Sequence, residues 1–330
     1  MNTCQTCLFW TPNRPELKAE DGKSEFCLHP KLSIKTEIDF GCTFHCGPSD
    51  TAANVPNHLK AASMTDPNPN PIDGPVEILI VTYAKDWDWL VYAMRCARKF
   101  LSGFQGITIA HPKTDEERFK TLLHQFDVRL HGYNEIPGKG MLQHMIKMAE
   151  ADKIVPSTTK YVLTCDADCM FHMATSPAHY FWEDKPYCIV RSWESLTSED
   201  PRHPGTKVVS DCLMWKKPTD RQVGFDTDIF GMCMNTIAFP IDFFAKYRAH
   251  IESVHNRKFQ DFMLDGQNSF PQSNMDFTAM VAYAYKFMHD RFHWFHVETP
   301  PYPVDRKRAF WSHGGLNPGI VAEIEGFLAK

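Results

Sequence analysis

From residue 76 onward the chain alternates short apolar runs with longer amphipathic ones. Residues 76–83 (Val-Glu-Ile-Leu-Ile-Val-Thr-Tyr) predict a strand, and 87–101 predict an amphipathic helix. The pattern then repeats as strand 106–111, helix 115–126, short strand 128–132, helix 140–154 and strand 161–165. Strands alternating with helices of roughly 10–15 residues imply βαβ units wound into a mostly parallel α/β sheet. Ligands of such sheets bind at the carboxyl ends of the strands. Two of those ends carry chemistry: Thr82, Tyr83 and Asp86 after the first strand, and Asp166 and Asp168 after the strand at 161–165. Further on, Phe277, Met280, Val281, Ala284, Phe287 and Met288 recur at helical spacing, so a helix opens at Asn274-Met275-Asp276-Phe277.

Before residue 76 the character differs. Pro48, Pro56, Pro67, Pro69, Pro71 and Pro75 crowd a stretch with few large apolar groups. Its Asp-Pro-Asn-Pro-Asn-Pro run cannot continue a helix or a central strand. Residues 51–75 therefore read as an extended linker between a module at 1–50 and the α/β domain at 76–330. The module holds Cys4, Cys7, Cys27, Cys42 and Cys46, five of the eleven cysteines. A Cys-x2-Cys turn brings two thiolates to one tetrahedral ion, and two distant cysteines close the site. Cys4, Cys7, Cys27 and Cys42 are the preferred ligands of a structural Zn²⁺, with Cys46, His29 or His45 as substitutes and an iron–sulfur cluster as the rival. So short a segment with so few apolar residues needs such a staple.

The formal charge of −5 gives no general pull toward nucleic acid or anionic membrane. Arg202, Lys207, Lys216, Lys217 and Arg221 form the nearest thing to a basic patch and read as solvated surface. No stretch approaches the ~20 apolar residues of a membrane span. The first residues lack the basic-then-apolar pattern of a signal peptide. An odd number of cysteines, several in apolar surroundings, points to a reducing cytoplasm.

Asp166-Ala167-Asp168 is the centre of the chemical reading. Two other pairs with the same spacing exist, Asp86/Asp88 and Asp226/Asp228, but only the middle one follows a clear strand. Two carboxylates at a strand end can hold Mg²⁺ or Mn²⁺, and magnesium takes its remaining ligands from phosphate and water. That suits a nucleotide diphosphate whose charge grows as it leaves. Upstream, Lys139 precedes a helix on which Gln143 and Lys147 share a face, suited to a phosphate and a sugar or ribose hydroxyl. Downstream, Asp276 in a first helical turn reads either as a cap or as a general base. Near the end, residues 306–315 gather Arg308 and other cations with His313 and two glycines, a phosphate-contacting loop with a candidate metal ligand.

In this order the elements resemble a GT-A fold glycosyltransferase. The resemblance implies that Thr82, Tyr83 and Asp86 hold the nucleotide and that Asp166 and Asp168 hold metal and diphosphate. It implies further that Asp276 is the base and that His313 completes the metal shell. A nearer likeness, to bacterial glycosyltransferase-like proteins, rests on Gly140, Gln143 and Lys147, on 163–168, on Lys185-Pro186 and on 274–277, where Asn-Met-Asp departs from the usual Ser-Glu. The cysteine head resembles small modules of phage and bacterial proteins through Cys4, Cys7, Trp10, Gly41 and Cys42. The implied function is a metal-dependent, inverting transfer from a nucleotide sugar, a UDP-sugar first, to an acceptor hydroxyl. Lys139, Lys147 or Arg308 would neutralise phosphate, and DNA with hydroxylated pyrimidines in a phage-infected cell is one acceptor. The alternatives are a nucleotidyltransferase on a similar sheet, and a binding protein with an inactive α/β domain.

Overall fold

The computed structural model describes residues 72–199, 207–231, 236–265, 277–299, 302–303, 305–310 and 312–330, together with two short strands in the N-terminal part. Those two, Glu25–Phe26 and Lys35–Thr36, pair antiparallel. The proposed zinc ligands Cys4, Cys7, Cys27 and Cys42, residues 51–71 of the expected linker 51–75, and Asp276 lie outside the described residues.

The α/β expectation holds, with a mostly parallel sheet flanked by helices. In chain order the main elements are β1 (Val76–Val81), α1 (Trp87–Phe100), β2 (Gly106–Pro112), α2 (Glu116–Lys120), β3 (Arg129–Tyr133) and α3 (Gly140–Ala149). Next come β4 (Tyr161–Cys165), β5 (Cys169–Phe171), β6 (Lys185–Ser192), β7 (Ala238–Pro240) and α4 (Ile241–His255). The chain continues through α5 (Phe277–Phe287), β8 (His293–His296), β9 (Lys307–Ala309) and α6 (Pro318–Ala329). The central sheet has the order β7-β4-β1-β2-β3. Its last four members are parallel, and β7 is antiparallel to β4. A second sheet is built on β6, with β8 parallel to it.

All six residues of β1 are buried, as a central strand covered on both faces must be. Period-two alternation sends Val76, Ile78 and Ile80 to the core shared with α1 and α6, and Leu79 and Val81 to the core shared with α3, α4 and α5. The chain winds outward from β1 through β2 to β3, then crosses to the other side of β1 to lay down β4. The carboxyl ends of β1 and β4 therefore border the topological switch point, where open α/β sheets form a ligand crevice.

Two predicted helices are shorter than their pattern. The segment expected to be helical over 115–126 is α-helical only in α2 and continues as the 3-10 turn Thr121–His124. There the Thr121 hydroxyl bonds back to the Arg118 carbonyl, a contact that competes with regular helix. The helix expected over 140–154 breaks at Glu150 and restarts as Ala151–Ile154. Arg248 of α4 enters at that break, donating to the Ala149 carbonyl at 2.6 Å and pairing with Asp152.

Candidate functional site

Cys165, Ala167 and Cys169 alternate into the core beneath α1, all 6 % exposed or less, so the intervening Asp166 and Asp168 are turned to the more open side. A turn closed by the Cys169 amide on the Asp166 carbonyl (3.2 Å) joins β4 to β5. Small apolar residues on one side and acids on the other thus deliver both carboxylates to the same edge. Oxygens of Asp166 and Asp168 and the sulfur of Cys169 lie within 4.8 Å of one another, the one such group among the described residues.

Each carboxylate is met by a different part of the chain. His144 of α3 places Nε2 3.4 Å from Asp166 Oδ1. The amide of Ser312 donates to Asp168 Oδ2 at 2.9 Å, and the Ser312 hydroxyl also bonds to this carboxylate. Strand β9 pairs antiparallel with β5, and the Phe310 amide donates to the Asp168 carbonyl at 3.0 Å. The C-terminal segment is thereby laced to the acidic turn. Burial, then the Asp166 charge, push Asp168 up to about 7; the Ser312 bonds pull the other way, and Asp86 adds to the rise.

The influence of Asp86 on Asp168 places it at the same edge. Asp86 ends the 3-10 turn Ala84–Asp86 that follows β1. Asp115 accepts from the Ala84 amide and Arg118 donates to the Ala84 carbonyl, so the segment after β2 fixes the loop after β1. Tyr83 donates its hydroxyl to the Gly140 carbonyl, and its ring lies 6.3 Å from that of His144. Thr82 is 1 % exposed; its amide bonds to Ala110, and its hydroxyl has no partner among the described residues.

The other residues singled out from sequence are placed as follows. Lys139 is the N-cap residue of α3. Gln143 is buried and spends its amide on the preceding loop, donating to Asn134 and accepting from Ile136. Lys147 pairs with Glu150 at 2.7 Å and lies over the Tyr133 ring. Both thus serve the fold, and the face of α3 that meets the acids is the one bearing Gly140 and His144. Arg308 likewise pairs with Glu323 of α6 at 3.3 Å, while its neighbour Lys307 is the cation buried beside Asp305. His313 belongs to the 3-10 turn Ser312–Gly314 that begins at the Asp168 contact, and Asp276 immediately precedes α5 outside the described residues.

The sequence reading missed His144 and Ser312. Gly140 and His144 are four apart, the same spacing as Gln143 and Lys147, so spacing alone could not choose between the two faces. The Ser312 contact spans 144 residues and has no local signature.

The donor set fits a hard divalent cation. Two carboxylates supply oxygen, and a cation held by them would offset the burial and the Asp166 charge that raise Asp168. The Cys169 thiol bonds to Cys165 and, through that bond and its burial, is held well above the ordinary thiol range. Carboxylate oxygens are the harder donors and suit a cation such as Mg²⁺ or Mn²⁺.

No protein-family model matches the chain, and no curated protein does. Among solved structures similar to it is the crystal structure of 4-diphosphocytidyl-2C-methyl-D-erythritol synthase from Anaerococcus prevotii. The two are 10% identical, the match covers 78% of this chain and 97% of that one, and the TM-score is 0.41. Among the described residues no helix is long and apolar enough to cross a membrane.

Proposed function

We propose that this chain is a metal-dependent glycosyltransferase moving a sugar from a nucleotide-diphosphate donor, a UDP-sugar first, to an acceptor hydroxyl. The observation that carries the reading is the meeting of Asp166 and Asp168 at the switch point of the parallel sheet, beside the strand that leads to Asp86. A nucleotide in that crevice lays its diphosphate across the ends of β1 and β4. Asp166 and Asp168 would hold Mn²⁺ or Mg²⁺ there, with His313 as a further ligand. When bound, the cation supplies electrophilic stabilisation of the departing diphosphate.

The protein's own groups bind, orient and move the proton. Thr82, Tyr83 and Asp86 flank the nucleoside, and Lys139 at the start of α3 is the cation for the phosphates. Gln143, Lys147 and Arg308 support the site through the elements they hold together. Asp276 takes the acceptor proton as the hydroxyl oxygen attacks the anomeric carbon and the bond to the diphosphate breaks, inverting that centre. Cys4, Cys7, Cys27 and Cys42 bind a structural Zn²⁺ and present the module to the acceptor, for which DNA bearing hydroxylated pyrimidines is the first to try.

The test is product analysis on the full chain given a panel of nucleotide sugars with Mn²⁺, Mg²⁺ or chelator. UDP release that needs metal and falls on the order of 100-fold in Asp168→Asn is expected. Pyrophosphate release from nucleoside triphosphates would move the reaction to nucleotidyl transfer. Neither product under any metal would overturn the enzymatic reading.

A further inference from the structure

Ser312 stands at the first position of the 3-10 turn Ser312–Gly314, where the chain leaves β9. It meets Asp168 twice, through its amide at 2.9 Å and through its hydroxyl. Both bonds go to the acidic turn, and the amide's target is one named oxygen, Oδ2. The approach is fixed from further back. Lys307, Arg308 and Ala309 are in register with Phe171, Met170 and Cys169, and the Phe310 amide holds the Asp168 carbonyl. The Arg306 carbonyl accepts from the His172 amide, and the Arg306 guanidinium reaches Ala174. The contact is thus the end of a continuous ladder of bonds that runs from Ala174 to Oδ2 of Asp168.

We propose that Ser312 is a positioning residue for the divalent cation: its amide, at Oδ2, and its hydroxyl fix the Asp168 carboxylate in the orientation that presents it to the ion. This rests on the proposed metal-dependent reading. Groups that orient a metal-binding carboxylate through hydrogen bonds typically change affinity by about 10–100-fold when removed. Ser312 differs from a ligand because it touches the carboxylate and not the ion. It differs from a purely structural residue because its two donors end on the acid whose charge the ion requires.

A graded set of variants in the full chain tests this, with Mn²⁺ alone as the probe and free Mn²⁺ followed by electron paramagnetic resonance. Ser312→Ala removes the hydroxyl and keeps the amide. Ser312→Pro removes both, at the first position of a helical turn where proline's fixed φ is tolerated. Ser312→Thr keeps both. Expected Mn²⁺ affinities fall by a few-fold in Ser312→Ala and about tenfold or more in Ser312→Pro, with Ser312→Thr near wild type. Thermal unfolding of each variant separates loss of affinity from loss of fold. Should Ser312→Pro fail to fold, the Ala and Thr pair decides alone. Wild-type binding that is abolished by Asp168→Asn yet unchanged in Ser312→Ala and Ser312→Pro would overturn the clamp and leave the metal reading standing. No Mn²⁺ binding by the wild type would overturn both.

Discussion

His144 Nε2 lies 3.4 Å from Asp166 Oδ1, joining α3 to the acidic turn across the mouth of the sheet. The same helix end is held by Tyr83 through Gly140, so the loop after β1, the start of α3 and the turn after β4 form one assembly. His144→Ala should leave the fold intact and lower metal-dependent turnover about tenfold, by freeing the Asp166 carboxylate to rotate. The effect belongs mainly in the metal concentration needed for half-maximal rate. A variant with wild-type metal dependence would remove His144 from the site.

Glu77 is completely buried within β1, and its carboxylate is taken by Arg129 of β3 at 2.7 and 2.9 Å and by Thr108 of β2 at 2.6 Å. One acid thus pins three adjacent strands. The Arg129 side chain is 47% exposed, so water screens part of this pair and the full cost of a broken buried ion pair does not apply. Arg129→Met should destabilise by roughly 1–3 kcal/mol in urea unfolding. The double variant Glu77→Leu, Arg129→Met should recover much of that, since the buried charge is removed with its partner. If the double variant is worse than the sum of the singles, the pair is contributing more than charge compensation.

The sheet was legible because β1 and β4 are unbroken apolar runs, and buried parallel strands require them. Asp166 and Asp168 could be placed at one edge because they come immediately after the run that forms β4. The helix faces were harder to read. Gln143 and Lys147 have the right spacing for a site, yet the backbone of the preceding loop took the first and Glu150 the second. Polar residues at helical spacing do not declare whether they serve a ligand or their own chain. The inward turn of Lys307 rather than Arg308 was hidden too: in a β strand neighbours face opposite ways, and only the pairing of β9 with β5 decides which cation turns inward. Long-range contacts such as Ser312 with Asp168 leave no periodic trace at all.

Acid stability should be sensitive to Asp242, in the first turn of α4. The hydrogen bond from Arg291, against the cost of burial and with help from Lys246, lowers its carboxyl to about 2. An unfolded aspartate titrates near ~3.9. The folded value is the lower one, so this contribution is fully present above about pH 4 and is lost as pH falls toward 2. Wild type should lose stability over that window, and Asp242→Asn should be less stable at neutral pH with a flatter acid limb. Parallel acid limbs in the two proteins would show that the pairing seen with Arg291 carries no pH-dependent stability.

The pairs Asp166/Asp168 and Asp226/Asp228 share their spacing but not their surroundings. Asp226 is exposed and pairs with Lys216, which also holds Asp220 at 2.8 Å, and Asp220 in turn accepts from Thr227. That arrangement closes a loop beside the Trp193 indole, which donates to Thr227. Asp168 instead is buried beside Asp166, an arrangement that burial and like charge both disfavour and a divalent cation relieves. Asp168→Asn should therefore cost about 3 kcal/mol of transition-state stabilisation, on the order of 100-fold in metal-dependent turnover. Its thermal stability should be unchanged or higher, because a repelling charge has been removed. Asp226→Asn should keep turnover within about twofold, because solvent screens an exposed pair and it bears on the fold alone. Equal losses of turnover in the two variants would mean that strand-end geometry does not distinguish a metal-binding pair from a loop-closing one in this chain.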